Sequence, residues 1–116
     1  MLHADQSLRF RIAGRDWALP LLQAREIVPL PPLSHVPATP PYILGVFNLV
    51  GRVVLVLDAA VKLGLGATAR HDRSCVLVAD APMGGETAVV GILVESVDGV
   101  VDEGELERLD LEAIVS

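Results

Sequence analysis

Aromatic residues are nearly missing from this 116-residue chain: two Phe, one Trp and one Tyr make up 3% of it. A core built on large rings is thereby excluded. Val, Leu, Ile and Ala must fill the interior, and a Val-heavy chain of this kind favours strands. Cysteine is scarcer still. The single Cys75 excludes an internal disulfide framework and, with no C-x-x-C partner, a cysteine zinc site. Long apolar runs are absent as well. The longest, residues 53–61, is interrupted by Asp58 and is far short of the ~20 residues a spanning helix needs, so no membrane insertion is expected. The N-terminal MLHADQSLRFR lacks the basic-then-apolar order of a secretory leader, and the expected compartment is the cytoplasm. Positive charge is in deficit: 9 Lys and Arg against 15 Asp and Glu give a net charge of −6. That balance argues against nucleic acid and anionic membrane surfaces as partners, because both need a basic footprint.

What is present is apolar and punctuated. Hydrophobic residues make up 52% of the chain, which excludes disorder, and the length suits one domain, residues 1–116. Leu8, Phe10 and Ile12 alternate with Arg9 and Arg11, the pattern of a half-buried strand. A turn at 14–16 and a second strand from Trp17 complete a hairpin. Residues 21–26 are expected as one or two packed helical turns, and 27–30 as a strand. Five of the eight prolines lie in residues 31–41, an extended loop or edge. Residues 37–40 formally match a P-x-x-P ligand, but Leu33 and Val36 need burial, which favours an ordered loop. Strands are expected at 42–49 and 52–57, then a short helix capped by Asp58 and ended by Gly64. A polar loop follows at 66–73. Further strands are expected at 74–81 and 87–94, joined by a Gly-rich loop at 82–86, and at 97–101 after a bend near Asp98-Gly99. Residues 102–107 read as a solvated acidic tail and 109–115 as an amphipathic scrap. About eight short strands with regular turns indicate a small barrel or sandwich.

No catalytic constellation emerges. His3, His35 and His71 have no zinc-ligand spacing. Cys75 opens an apolar strand, which favours a core thiol over a nucleophile paired with His71. The Gly64 and Gly84 segments are not followed by Lys-Ser/Thr on a helix, so no phosphate cradle is present. The acids at 102, 103, 105 and 107 do not match a calcium loop. No metal, no cofactor and no enzyme activity are expected.

The order of the pieces is more specific than any one of them. Trp17-Ala18-Leu19 is followed by A-R-E-I-V at 24–28, P-x-x-P-P-Y-I-L-G-V-F-N-L-V-G at 37–51 and R-V-V-L-V-L-D at 52–58. L-G-L at 63–65, C-V-L-V at 75–78 and V-V-G-I-L-V-E-S-V-D-G-V-V at 89–101 complete the set. From residue 8 to about 109 the chain resembles the CheW-like family, the coupling adaptors of bacterial chemotaxis. The resemblance implies an all-β fold with minor helix: two small SH3-like β-barrels sharing one core. It also implies a non-enzymatic adaptor between the cytoplasmic tip of a chemoreceptor and the regulatory domain of a CheA-type histidine kinase. Partner contacts are expected at Ala24, Arg25, Glu26 and Ile27, and at the turn Asn48, Leu49, Val50, Gly51 with Arg52 on the return strand.

Three departures from the family qualify this. The family usually reads N-L-R-G where this chain has Asn48-Leu49-Val50-Gly51, so Glu26 is left unpaired or turns to Arg25 or Arg52. Leu55 replaces a common proline and restores a backbone donor. A hairpin of about thirty residues, normal for the family before its terminal helix, is not found after residue 109. The second barrel is therefore expected to be incomplete, with bare ladder edges, and a homodimer by edge pairing or strand exchange is expected to complete it. The alternative is a divergent scaffold or regulator that self-associates, or binds a different kinase or receptor.

Overall fold

The computed structural model describes residues 6–102 and 106–115. The N-terminal alternation becomes β1 (Gln6–Ile12) and β2 (Arg15–Pro20). Leu8, Phe10, Ile12, Trp17 and Leu19 turn to one face and are buried, as the two-residue period of a strand dictates. After a 3-10 turn at Leu21–Gln23 come β3 (Ala24–Pro29), β4 (Ile43–Leu49), β5 (Arg52–Leu57) and the short α1 (Ala59–Lys62). Then follow β6 (Cys75–Met83), β7 (Glu86–Val94), β8 (Ser96–Asp102), β9 (Glu107–Arg108) and α2 (Leu111–Val115).

The strands form two sheets. One is four-stranded, in the order β8-β1-β2-β9, and the other five-stranded, in the order β3-β6-β7-β5-β4. The five-stranded sheet curls until the proline segment meets β4. There Ser34 and Val46 exchange two backbone hydrogen bonds of 2.9 Å each, which joins the sheet's two ends into a small barrel. Gly45 makes that closure possible. Its φ is +146° and a Cβ would lie 2.6 Å from the Ser34 carbonyl oxygen, so no other residue fits without displacing the backbone. The four-stranded sheet stays open.

β6 and β7 are walls of two cores at once. Val76, Val78 and Leu93 face into the barrel with Phe47, Val54 and Val56. Leu77, Ala79, Ile92 and Val94 face the other way, against Leu8, Phe10, Trp17 and Leu19 of the open sheet. A strand buried on both faces reads as a continuous apolar run, as residues 75–79 do. At Gly91 the two walls and β5 come so close that a Cβ would lie 2.7 Å from Val76 Cγ1. The all-β architecture with an incomplete second barrel is thus the observed one.

Several boundaries differ from expectation. The helical turn stops at Gln23, and Ala24 to Glu26 already belong to β3. They pair with Ala79 and Val78 through a bulge, so long-range pairing overrides local preference. The loop expected at 82–86 shrinks to Gly84-Gly85, both with positive φ, the geometry of a two-residue hairpin turn. The tail is not simply solvated. Asp102 ends β8, residues 103–105 lie outside the described residues, and Glu107 and Arg108 pair in parallel with Trp17 and Ala18. Leu109, Leu111 and Ile114 are buried, so the final segment seals the shared core. Cys75 lies buried in that core, as expected.

Candidate functional site

The two segments singled out for partner contact are separated by twenty residues in sequence and sit at opposite ends of the five-stranded sheet's strand order. Curling brings them together. Arg25 and Glu26 on β3, with Leu49, Val50 and Arg52 at the β4–β5 turn, line one cavity of about 340 Å³ at the barrel's mouth. Val78 of β6 and Val89 of β7 line it as well, and both pack into the barrel core. The mouth is therefore an apolar floor with a charged rim.

The remaining four expected residues fall outside the cavity lining. Ala24 packs against the shared core. Ile27 is exposed on β3. Asn48 stays in β4 and its Oδ1 accepts a hydrogen bond from the Gly51 amide at 2.9 Å, which braces the turn. Gly51 and Val50 are its two central residues, with φ of +81° and +49°. The unusual φ thus falls on Val50 and Gly51, and Asn48 contributes through its side chain.

The rim charges are unevenly paired. Arg25 donates to Asp80 Oδ1 at 3.0 Å across β3 and β6. That contact takes Arg25 away from Glu26. Among the described residues neither Glu26 nor Arg52 has an ion-pair partner. Sequence reasoning missed Val78, Asp80 and Val89. Their alternation with 77, 79 and 90 puts them on one face of their strands, but that pattern does not say which face opens to solvent.

Chemistry elsewhere is sparse. Burial pushes the Cys75 thiol up, away from the reactive thiolate. His71 Nδ1 accepts from the Arg73 amide at 3.1 Å, and Ser74 Oγ accepts from the His71 amide at 2.8 Å, so this side chain braces its own loop. Among the described residues no group of three or more His, Cys, Asp or Glu side chains could hold a metal ion, and no helix is long and apolar enough to cross a membrane. A smaller apolar cavity of about 90 Å³ lies where Ile114 and Val115 of α2 meet Tyr42, Leu55 and Val90.

Residues 6–113 match the model of the CheW-like domain family. The chemotaxis protein CheW of Rhizobium meliloti (strain 1021) is 31% identical over 94 residues, which cover 81% of this chain and 58% of that protein. The chemotaxis protein CheW of Helicobacter pylori (strain ATCC 700392 / 26695) is 38% identical over 73 residues, 63% of this chain and 44% of that one. The chain thus spans about half the length of the curated relatives it matches. Among solved structures, the scaffolding protein TtCheW from Thermoanaerobacter tengcongensis superposes with a TM-score of 0.76 at 23% identity, covering 90% of this chain and 66% of that chain. Because that family model matches nearly the whole chain, the chain belongs to the CheW-like domain family.

Proposed function

We propose that the chain, folded as one domain, is a non-enzymatic adaptor of bacterial chemotaxis that works in the cytoplasm. It links the cytoplasmic tip of a chemoreceptor to the regulatory domain of a CheA-type histidine kinase, and the barrel mouth is one of its docking surfaces. The observation that carries this reading is the convergence of Arg25, Glu26, Leu49, Val50 and Arg52 on one open cavity. Val50 and Leu49 at the turn supply apolar contact area, and two rim charges without an ion-pair partner among the described residues supply orientation, the division of labour found in protein interfaces. The CheW names of its relatives support the pathway.

The test is calorimetric titration of the purified chain with a CheA-type regulatory domain and, separately, with a receptor-tip fragment. Binding to both is expected, with Arg52→Glu weakening at least one by about tenfold. No binding to either protein overturns the reading. A second reading, a divergent scaffold that self-associates or serves another kinase or receptor, is supported by β8. Its outer edge is unpaired among the described residues, and Val100 on it is 51% exposed.

A further inference from the structure

The four-stranded sheet has two edges, and the chain itself fills one of them. There β9 lies along β2, and the segment that follows carries Leu109, Leu111 and Ile114 into the shared core. β8 is the counterpart at the other edge. It is seven residues long, and among the described residues no strand lies on its outer side. Its ladder groups there are a template for one more strand. Val100 is aligned with Leu8, so both side chains turn to the core face of the sheet. Leu8 is 4% exposed, whereas Val100 is 51% exposed. The core face thus ends on an uncovered apolar side chain.

The charges beside this edge are of one sign. Asp98 and Asp102 lie two residues to either side of Val100, and both are exposed. Asp98 accepts from the Ser96 hydroxyl at 3.3 Å. Neither carboxylate has an ion-pair partner among the described residues. The cations of the neighbouring strand are already engaged: Arg9, aligned with Gly99, and Arg11, aligned with Ser96, both turn to Asp16 of β2. Gly99 adds no side chain to the edge, and even a Cβ there would meet nothing within 4 Å, so an incoming strand has room.

These features choose the occupant. A bare backbone ladder takes a polypeptide. A second copy of this chain is a poor one. Pairing β8 with itself about a two-fold axis at Val100 sets Asp98 of each copy against Asp102 of the other, and like charges facing across a ladder repel. The net charge of −6 on each chain adds to that repulsion.

We propose that β8 is a docking edge for an extended basic segment of another protein, which joins the sheet as a fifth strand. The segment's central apolar side chain covers Val100, and a Lys or Arg two residues to either side pairs with Asp98 and Asp102. Backbone hydrogen bonds supply affinity, and the alternate side chains supply selectivity. No residue of β8 lines the barrel mouth, so this edge stands or falls independently of the adaptor reading.

The experiment titrates a nine-residue peptide into the isotope-labelled chain and follows the backbone amides by NMR. The peptide alternates Val and Thr, with a Lys two residues to either side of its central Val. Sub-millimolar binding is expected in low salt, with the largest amide shifts in residues 97–102 and clear weakening at high salt. A twin peptide with Glu in place of Lys is expected to bind about tenfold more weakly. A twin with alternate backbone nitrogens methylated, which cannot complete the ladder, is expected not to bind. Asp102→Lys, at an exposed position, is expected to weaken the Lys peptide about fivefold and to strengthen the Glu peptide. No binding of the Lys peptide, or shifts centred on the barrel mouth, overturns the docking edge and leaves the adaptor reading standing. Equal affinity for the Lys and Glu peptides overturns the basic partner. A β8-paired dimer that shuts out the peptide assigns the edge to a second copy and overturns the proposal.

Discussion

Asp58 is the residue whose role grew most between sequence and structure. As a cap it accepts from the amides of Ala60 and Val61 at 3.1 and 3.4 Å, and this much is legible from its place before a short helix. The same carboxylate, only 2% exposed, also accepts from the Thr68 amide at 3.0 Å and the Thr68 hydroxyl at 2.7 Å. It thereby ties the polar loop back onto α1. Nothing in residues 66–73 announces this, because a threonine in a polar loop reads the same whether or not it finds a buried acceptor. Asp58→Ala would strand several buried donors, each costing about 1–3 kcal/mol. A loss of about 2–4 kcal/mol in urea unfolding is expected, with Asp58→Asn retaining part of it. A loss under about 1 kcal/mol would show that water replaces the carboxylate.

At the scale of elements, the β1–β2 hairpin was the easiest to read and β3 the hardest. Leu8, Phe10 and Ile12 alternate within a single strand, so local periodicity suffices. Ala24 to Glu26 form a strand only because β6, some fifty residues later, offers them a ladder. The hairpin also carries a pH-sensitive contact. Arg9 reaches Asp16 Oδ2 at 2.6 Å and Arg11 approaches Oδ1 at 3.5 Å. The hydrogen bond from Arg9 holds the Asp16 carboxyl below the usual aspartate range; partial burial opposes this, and the charges of Arg9 and then Arg11 reinforce it. A carboxyl lowered in the folded state stabilises it fully above the unfolded value, about 3.9. That stabilisation is lost as pH falls through the lower folded value. The stability gap between wild type and Asp16→Asn should thus be constant from pH 7 to about 5 and close below about 4. Urea midpoints at pH 6, 4 and 2.5 measure it. A gap that persists unchanged at pH 2.5 contradicts the assignment.

For the whole molecule, the question is which edges remain open. The second barrel was expected to be incomplete, with bare ladder edges. One is covered: β9 pairs with β2, and the Leu109 amide donates to the Ala18 carbonyl at 2.9 Å. The other, β8, stays unpaired among the described residues. A bulge opposite Arg9 and Phe10 interrupts its register, and Asp98 and Asp102 flank Val100, which confines any pairing with another edge to a short ladder around Val100. Self-association through β8 predicts a concentration-dependent dimer in light scattering at tens of micromolar, converted to monomer by Val100→Lys. A wild-type monomer across that range removes the self-association reading and leaves the adaptor.

The sequence by itself determined that the protein is all-β, with an aliphatic core and no framework of disulfides. Period-two alternation, turn residues and composition are local, and they survive without any knowledge of partners in space. It also brought forward two segments, 24–27 and 48–52, through the resemblance that its ordered motifs carry. Only the tertiary structure decided that five residues of those segments share one mouth, that Asp80 captures Arg25, and that Val50 takes a positive φ in its turn. The shared mouth depends on how far the sheet curls before Ser34 meets Val46, and the Arg25–Asp80 pair on the ladder between β3 and β6; curl is set by packing between distant strands, notably at Gly45 and Gly91, which no window of neighbouring residues records.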